Sequence, residues 1–171
     1  MNSQLRRSQI LEHLHHSDTP LSATWLAHTL EVSRQIIVGD VALLRASGAN
    51  IVATPRGYVL DSPAPGQQYT VACCHTDQDM EQELNLMVDH GCTVESVVVE
   101  HPVYGQLVGQ LNLSSRYDVA QFVQKAQAHA MRPLSDLTGG IHLHTLRCKE
   151  EAAFRQLEEA LRKAGFLVEE S

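Results

Sequence analysis

The chain has 171 residues, of which 43% are hydrophobic, and a formal net charge of −7. These values are typical of an ordinary globular protein with room for one medium domain or two small ones. No apolar run approaches the roughly 20 residues of a membrane span, and the N-terminus lacks the apolar core of a signal peptide. We therefore expect a cytoplasmic protein without a membrane segment.

The charge is distributed unevenly along the chain. Residues 1–60 carry a net charge of +1 and residues 61–171 a net charge of −8. The change in charge coincides with a short polar segment, Asp61 to Gly66, that contains two prolines and a glycine, a composition typical of a linker. The sequence thus predicts two domains, residues 1–61 and 67–171, of which only the second is acidic.

The first domain begins with three amphipathic helical patterns. One runs from Leu5 to Leu14 and a second from Leu21 to Leu30. The third follows after a three-residue turn, with Ser33 as a predicted N-cap and Gly48 as its stop. Two helices joined by so short a turn are typical of the helix-turn-helix unit. Gly39 lies inside the third pattern, where a glycine costs roughly 1 kcal/mol of helix propensity.

A predicted wing follows these helices and completes a candidate DNA-binding surface. Two short apolar runs flank Pro55-Arg56-Gly57, the pattern of a hairpin. The N-terminal turn of a recognition helix meets base edges in the major groove, and a wing arginine can enter the minor groove. A helix pair used only for packing or dimerisation is the alternative. The predicted base contacts are Ser33, Arg34 and Gln35, the minor-groove contact is Arg56, and the candidate phosphate contacts are Arg6, Arg7 and Arg45.

The second domain alternates strand and helix patterns in the order β-α-β-β-α-β, followed by α-β. This order is that of a ferredoxin-like unit with an extension, so the whole chain is predicted to be α+β, a winged helix-turn-helix followed by a ferredoxin-like α/β sandwich. Strands are expected at 69–75, 93–101, 106–113, 140–147 and 166–168, and helices at 76–90, 115–129 and 149–164.

Histidines on one predicted strand indicate a metal site in this domain. His142 and His144 are two residues apart, so both imidazoles point to the same face. His75 at the end of the first strand and Glu83 in the next helix offer two further ligands. Such a set suits Zn²⁺ or Ni²⁺. A merely polar strand surface remains the alternative for the His-x-His pattern.

The four cysteines of the domain show neither metal-knuckle nor disulfide-framework spacing, so we expect reduced thiols. Cys73 and Cys74 flank His75 and are possible metal ligands, but buried strand positions are the simpler interpretation.

Five segments together resemble the niacin-responsive repressor family, NiaR, whose members join a biotin-repressor-like winged helix to a three-histidine (3H) domain. The resemblance covers nearly the whole chain and implies a repressor of genes for niacin uptake and NAD synthesis, with nicotinic acid as co-repressor. It also implies a metal site at His75, Glu83, His142 and His144. The segments are Val32 to Val38, Ala53 to Tyr58, His75 with Glu83, His101 to Gly105, and Gly140 to His144.

Function is accordingly expected to be regulatory and not enzymatic. We expect a homodimer that binds palindromic double-stranded operator DNA, a divalent transition metal and nicotinate. Two alternatives use the same residues. A metal-dependent hydrolase tethered to DNA is possible, because three histidines and a carboxylate can also activate water. A metalloregulator would sense the ion itself.

Overall fold

The computed structural model describes residues 2–61 and 65–169. The chain folds as two compact units, Met1–Pro63 and Ala64–Ser171. Part of the predicted linker, residues 62–64, lies outside the described residues. Within the described ranges, no helix is both long and apolar enough to cross a membrane.

The first unit contains the predicted three helices and the wing. The hydroxyl of Ser33 accepts a hydrogen bond from the backbone N–H of Ile36 at 3.3 Å, so the expected N-cap of the third helix is present. The helix then continues through Gly39 without a break. Its elements are α1 Ser3–His15, α2 Ala23–Thr29, α3 Arg34–Ala46, β1 Ile51–Thr54 and β2 Gly57–Leu60.

The wing is attached to the helical part of the unit two residues before the start of α2. Tyr58 of β2 and Leu21 exchange two backbone hydrogen bonds, of 2.8 and 3.0 Å. Gly57 has a φ of +136°, and a Cβ there would lie 2.5 Å from the Leu21 backbone, so this close approach requires glycine. One apolar core holds the unit together: Ile10, Leu14, Ala23, Leu26, Ala27, Leu30, Ile37, Val41, Leu44 and Ile51.

The helices and the four long strands of the second unit follow the predicted order. The last expected strand, 166–168, is reduced to a single bridge between Leu167 and Cys73. The predicted first helix begins as a 3-10 turn at Asp77–Asp79. The elements are β3 Gln67–Cys74, α4 Met80–Asp89, β4 Cys92–His101, β5 Gly105–Leu113, α5 Arg116–Ala128, a 3-10 segment Leu134–Thr138, β6 Ile141–Cys148 and α6 Glu151–Lys163.

The four long strands form one antiparallel sheet in the order β3-β6-β4-β5. The architecture is the predicted α+β one, with a difference of connectivity. The last of the four strands, β6, lies between β3 and β4, the first and second strands of this unit. In a ferredoxin-like unit, the strand between the first and the second is the third one along the chain. As a result β6 is an interior strand with a neighbour on each side.

Residues of α4, α5 and α6 pack against one face of this sheet in a single apolar core. Burial alternates along β6, because His142, His144, Leu146 and Cys148 are buried and the residues between them are not. The two histidines therefore point toward the helices.

Two of the four cysteines contradict the expectation of reduced thiols. Cys92 and Cys148 form a disulfide, whereas Cys73 and Cys74 are free. The two bonded residues are direct partners in the register of β4 with β6, and both are buried in the core. They lie 56 residues apart in the chain, and sequence spacing carries no information about that register.

Candidate nucleic-acid interface and metal centre

The outward surface of α3 contains the side chains predicted to read bases. Arg34 and Gln35 are exposed in its first turn. Ser33 is also exposed, but its hydroxyl already accepts the capping hydrogen bond described above. Arg45, in the last turn, is exposed as well.

Of the other arginines of this unit, Arg6 and Arg7 lie beside the carboxylate of Asp40, whereas Arg56 lies in the wing. Arg6 donates from Nε to Asp40 at 2.5 Å and its side chain is only 13% exposed, so it ties α1 to α3 and is poorly placed for the predicted phosphate contact. Arg7 lies 3.5 Å from the same carboxylate and is 28% exposed. Arg56 occupies the turn of the wing, where its backbone N–H donates to the hydroxyl of Thr54 at 3.3 Å.

In the second unit, three histidines converge on one buried carboxylate. Glu83 projects from α4 and is fully buried. Its two oxygens contact the Nε2 atoms of His75, His142 and His144; the His142 distance is 3.0 Å. His75 comes from the end of β3, while the other two come from β6. The structure thus brings together all four residues predicted to bind a metal.

Each imidazole is fixed from its other side by a backbone carbonyl. Nδ1 of His75 donates to Thr76 at 2.8 Å, and Nδ1 of His142 donates to Gly140 at 2.8 Å. Nδ1 of His144 donates to Ser96 at 3.1 Å, beside the bulge that β4 forms there. A carbonyl oxygen only accepts, so every Nδ1 carries a proton. In the neutral ring, Nε2 then presents a lone pair, the arrangement found in metal-binding histidines.

The Glu83 carboxylate is buried and negatively charged, so it needs a positive charge nearby. The place for that charge is where the Nε2 atoms of the three histidines meet. Burial by itself raises the pKa of the Glu83 carboxyl, but charge interactions and hydrogen bonds with His144 and His142 outweigh burial and lower this pKa to about 2. Three imidazolium ions around one carboxylate would leave excess buried charge, which is costly. One divalent cation between three neutral imidazoles and the carboxylate requires fewer buried charges, so the donor set fits a metal ion.

Cys73, for which the sequence favours a buried strand position, is a further candidate ligand. One ligand atom from each of Cys73, Glu83 and His142 lies within 4.8 Å of the others. Cys73 and His142 are also cross-strand partners in the register of β3 with β6. Burial and the charge of Glu83 raise the pKa of the Cys73 thiol. Because metal ligation uses the thiolate, the histidine and carboxylate donors are better prepared to bind an ion.

The helices and wing define a winged helix-turn-helix DNA-binding protein whose second domain holds a buried histidine–carboxylate cluster. Family models agree with this class: residues 6–59 match the HTH domain and residues 68–170 match the 3H domain. The chain belongs to the NiaR family of transcription repressors. It is therefore a repressor and not an enzyme.

Two curated relatives carry this assignment. The chain is 42% identical over 167 residues to "Probable transcription repressor NiaR" of Thermotoga maritima, with 98% of this chain and 95% of the relative covered. It is 41% identical over 169 residues to "Transcription repressor NadR" of Bacillus subtilis, with 96% of this chain and 94% of the relative covered. Both similarities extend through both units.

Proposed function

We propose that this repressor contains a divalent transition metal and responds to nicotinic acid, which acts as co-repressor at genes for niacin uptake and NAD synthesis. Residues 1–61 would bind operator DNA in the cytoplasm, and residues 67–171 would bind metal and nicotinate. The observation that carries the proposal is the convergence of three Nε2 atoms on Glu83. The resemblance to the niacin-responsive family supplies the effector.

The proposed metal ligands are His75, Glu83, His142 and His144, with Ni²⁺ or Zn²⁺ as the preferred ions for nitrogen and oxygen donors. When bound, the ion supplies a Lewis-acid position for the pyridine nitrogen or a carboxylate oxygen of nicotinate. The chain itself orients the imidazoles through the three backbone carbonyls. Burial of Glu83, at 0% exposure, and of His142 and His144, each at 3%, keeps the cluster largely free of competing water.

For the operator, the proposed base contacts are Ser33, Arg34 and Gln35. Arg45 would bind phosphate and Arg56 would enter the minor groove from the wing. Exposure of Arg34, Gln35 and Arg45 supports this assignment. A homodimer would place two such helices on a palindrome.

The proposal is tested by titrating the protein onto promoter DNA from a niacin-uptake gene, in a mobility-shift assay. Four samples are compared: metal-loaded or chelator-treated protein, each with and without nicotinate. We expect nicotinate to tighten binding only when metal is present, while nicotinamide, which lacks the carboxylate, serves as the control ligand. If metal alone produces the full change, the protein is a metalloregulator. No response to metal or nicotinate would remove the effector proposal.

A further inference from the structure

The recognition helix α3 carries an exposed apolar side chain that the proposed DNA contacts do not include. Ile36 lies in the first turn, directly after Gln35, and is 42% exposed. Its neighbour Ile37 is 0% exposed and fills the core. Ile36 is not among the residues of the apolar core of this unit.

The helical period places Ile36 at the edge of the outward face. At about 100° per residue, Gln35 lies near the centre of the face opposite Ile37 and Val41. Gly39 follows Gln35 on that face one turn later, and an added Cβ there would meet nothing within 4 Å. Ile36 flanks this face on one side, and Arg34 and Arg45 flank it on the other. The outward face of α3 therefore has arginines along one edge, an isoleucine at the other edge and, at Gly39 in its centre, no side chain.

Double-stranded DNA presents partners for all three parts. Phosphates attract the arginines, and base edges in the major groove accept and donate hydrogen bonds. The one apolar group that the major groove displays is the 5-methyl of thymine. Because Gly39 has no side chain, the helix can approach the bases closely. This approach brings the side chain of Ile36, in the first turn, within reach of that methyl group.

We infer that Ile36 is a specificity-determining residue that reads the 5-methyl group of a thymine in each half of the operator. The inference rests on the proposed function of α3 as the recognition helix. It adds an apolar component to a readout otherwise made of Arg34 and Gln35. It also predicts that an A·T pair, oriented with its thymine toward Ile36, is preferred at one position of each half-site.

Leu43 provides a matched control. It is an exposed aliphatic residue of the same helix, 57% exposed, two turns after Ile36. The first turn of a recognition helix makes the base contacts, so truncation at Leu43 should leave the reading of thymine unchanged. Both residues are exposed, so Ile36→Ala and Leu43→Ala should fold like wild type, which thermal unfolding monitored by circular dichroism verifies.

The test uses an operator selected from a random duplex pool with metal-loaded wild-type protein in the presence of saturating nicotinate. Each thymine of a half-site is then replaced in turn by uracil, which pairs identically and lacks only the 5-methyl group. Losing contact with one methyl group should weaken wild-type binding roughly four-fold at one position. Ile36→Ala should show no uracil penalty at that position, and Leu43→Ala should keep the wild-type penalty.

Two outcomes would overturn the inference: no uracil position weakens wild-type binding, or Ile36→Ala retains the full penalty. Either result leaves the repressor's operator binding in place. Failure of the wild-type chain to enrich any duplex from the pool is a different result, since it would contradict the proposed DNA-binding role of α3 itself. The two failures are therefore distinguishable within one experiment.

Discussion

Two arginines of the first unit that the sequence predicts as DNA contacts, Arg6 and Arg34, have different roles. Arg6 is largely buried against Asp40, which is itself only 4% exposed, so this pair stabilises the contact of α1 with α3. Arg34 is exposed at the start of α3. Residue type alone predicted DNA contacts for both. Burial separates them, because Arg6 directs Nε and Nη2 to Asp40 and its side chain, only 13% exposed, is shielded from an approaching phosphate.

The exposed pair at the start of α3 should determine operator recognition. We expect Arg34→Ala and Gln35→Ala each to lower operator affinity by about 1–3 kcal/mol, because each removes hydrogen bonds to base edges. Fluorescence anisotropy with the selected operator measures the change. Metal content should be unaffected. Arg162→Ala, which removes an exposed arginine from α6 of the second unit, is the control. If both variants bound operator like wild type, the recognition helix would be assigned wrongly.

At the metal centre, His144→Ala should remove one of the three imidazole donors. We expect most bound metal to be lost and nicotinate binding with it, while basal DNA binding persists because the winged helix has its own core. Elemental analysis followed by calorimetric titration of nicotinate measures both effects. His129→Ala, an exposed histidine outside the cluster, is the control. Unchanged nicotinate affinity after verified metal loss would leave the metal only a structural role.

Among the elements, β6 shows which parts of the site the sequence could predict. The two-residue period correctly placed His142 and His144 on one face, because it follows from strand geometry alone. The helical pattern likewise placed Glu83 on α4. The position of β6 between β3 and β4 was not predictable, since periodicity indicates faces and not neighbours. For the same reason the carbonyl of Ser96, on a neighbouring strand, was missed as the partner of His144.

The disulfide between β4 and β6 gives an element-scale prediction. It closes a loop of 56 residues in separation, so its loss should destabilise the second unit by roughly 4 kcal/mol in the loop-entropy estimate. Urea unfolding of the oxidised protein, with and without reductant, measures this difference. Cys74→Ser, which leaves the bridge intact, is the control.

Under denaturing conditions without reductant, two of the four cysteines should react with a thiol reagent. Four reactive thiols would contradict the bridge.

For the molecule as a whole, charge and composition predicted two domains and the acidity of the second, because these are properties of segments and require no three-dimensional information.

The assembly of the chain into an oligomer, in contrast, depends on its three-dimensional surface. One winged helix contacts too little DNA for operator-level affinity, so we expect a twofold-symmetric dimer that reads half-sites about one helical turn, or a multiple of it, apart. The sheet face away from the helices offers apolar residues for this contact, including Ile141 and Val108, each 52% exposed.

Light scattering at micromolar concentration tests this assembly. Ile141→Asp should yield monomer and weaken operator binding, because it places a charge in the proposed contact. Tyr117→Asp, at an exposed position on α5, should leave the dimer intact. A wild-type monomer with full operator affinity would contradict the expectation.

Coupling between the effector and DNA sites gives the last prediction. If nicotinate raises operator affinity by some factor, operator must raise nicotinate affinity by the same factor, because both ratios describe one thermodynamic cycle. Calorimetric titration of nicotinate into metal-loaded protein, with saturating operator and without it, measures one ratio, and anisotropy measures the other. A scrambled duplex controls for nonspecific charge. Unequal ratios would mean that a further equilibrium, such as metal release or dimer dissociation, accompanies nicotinate binding.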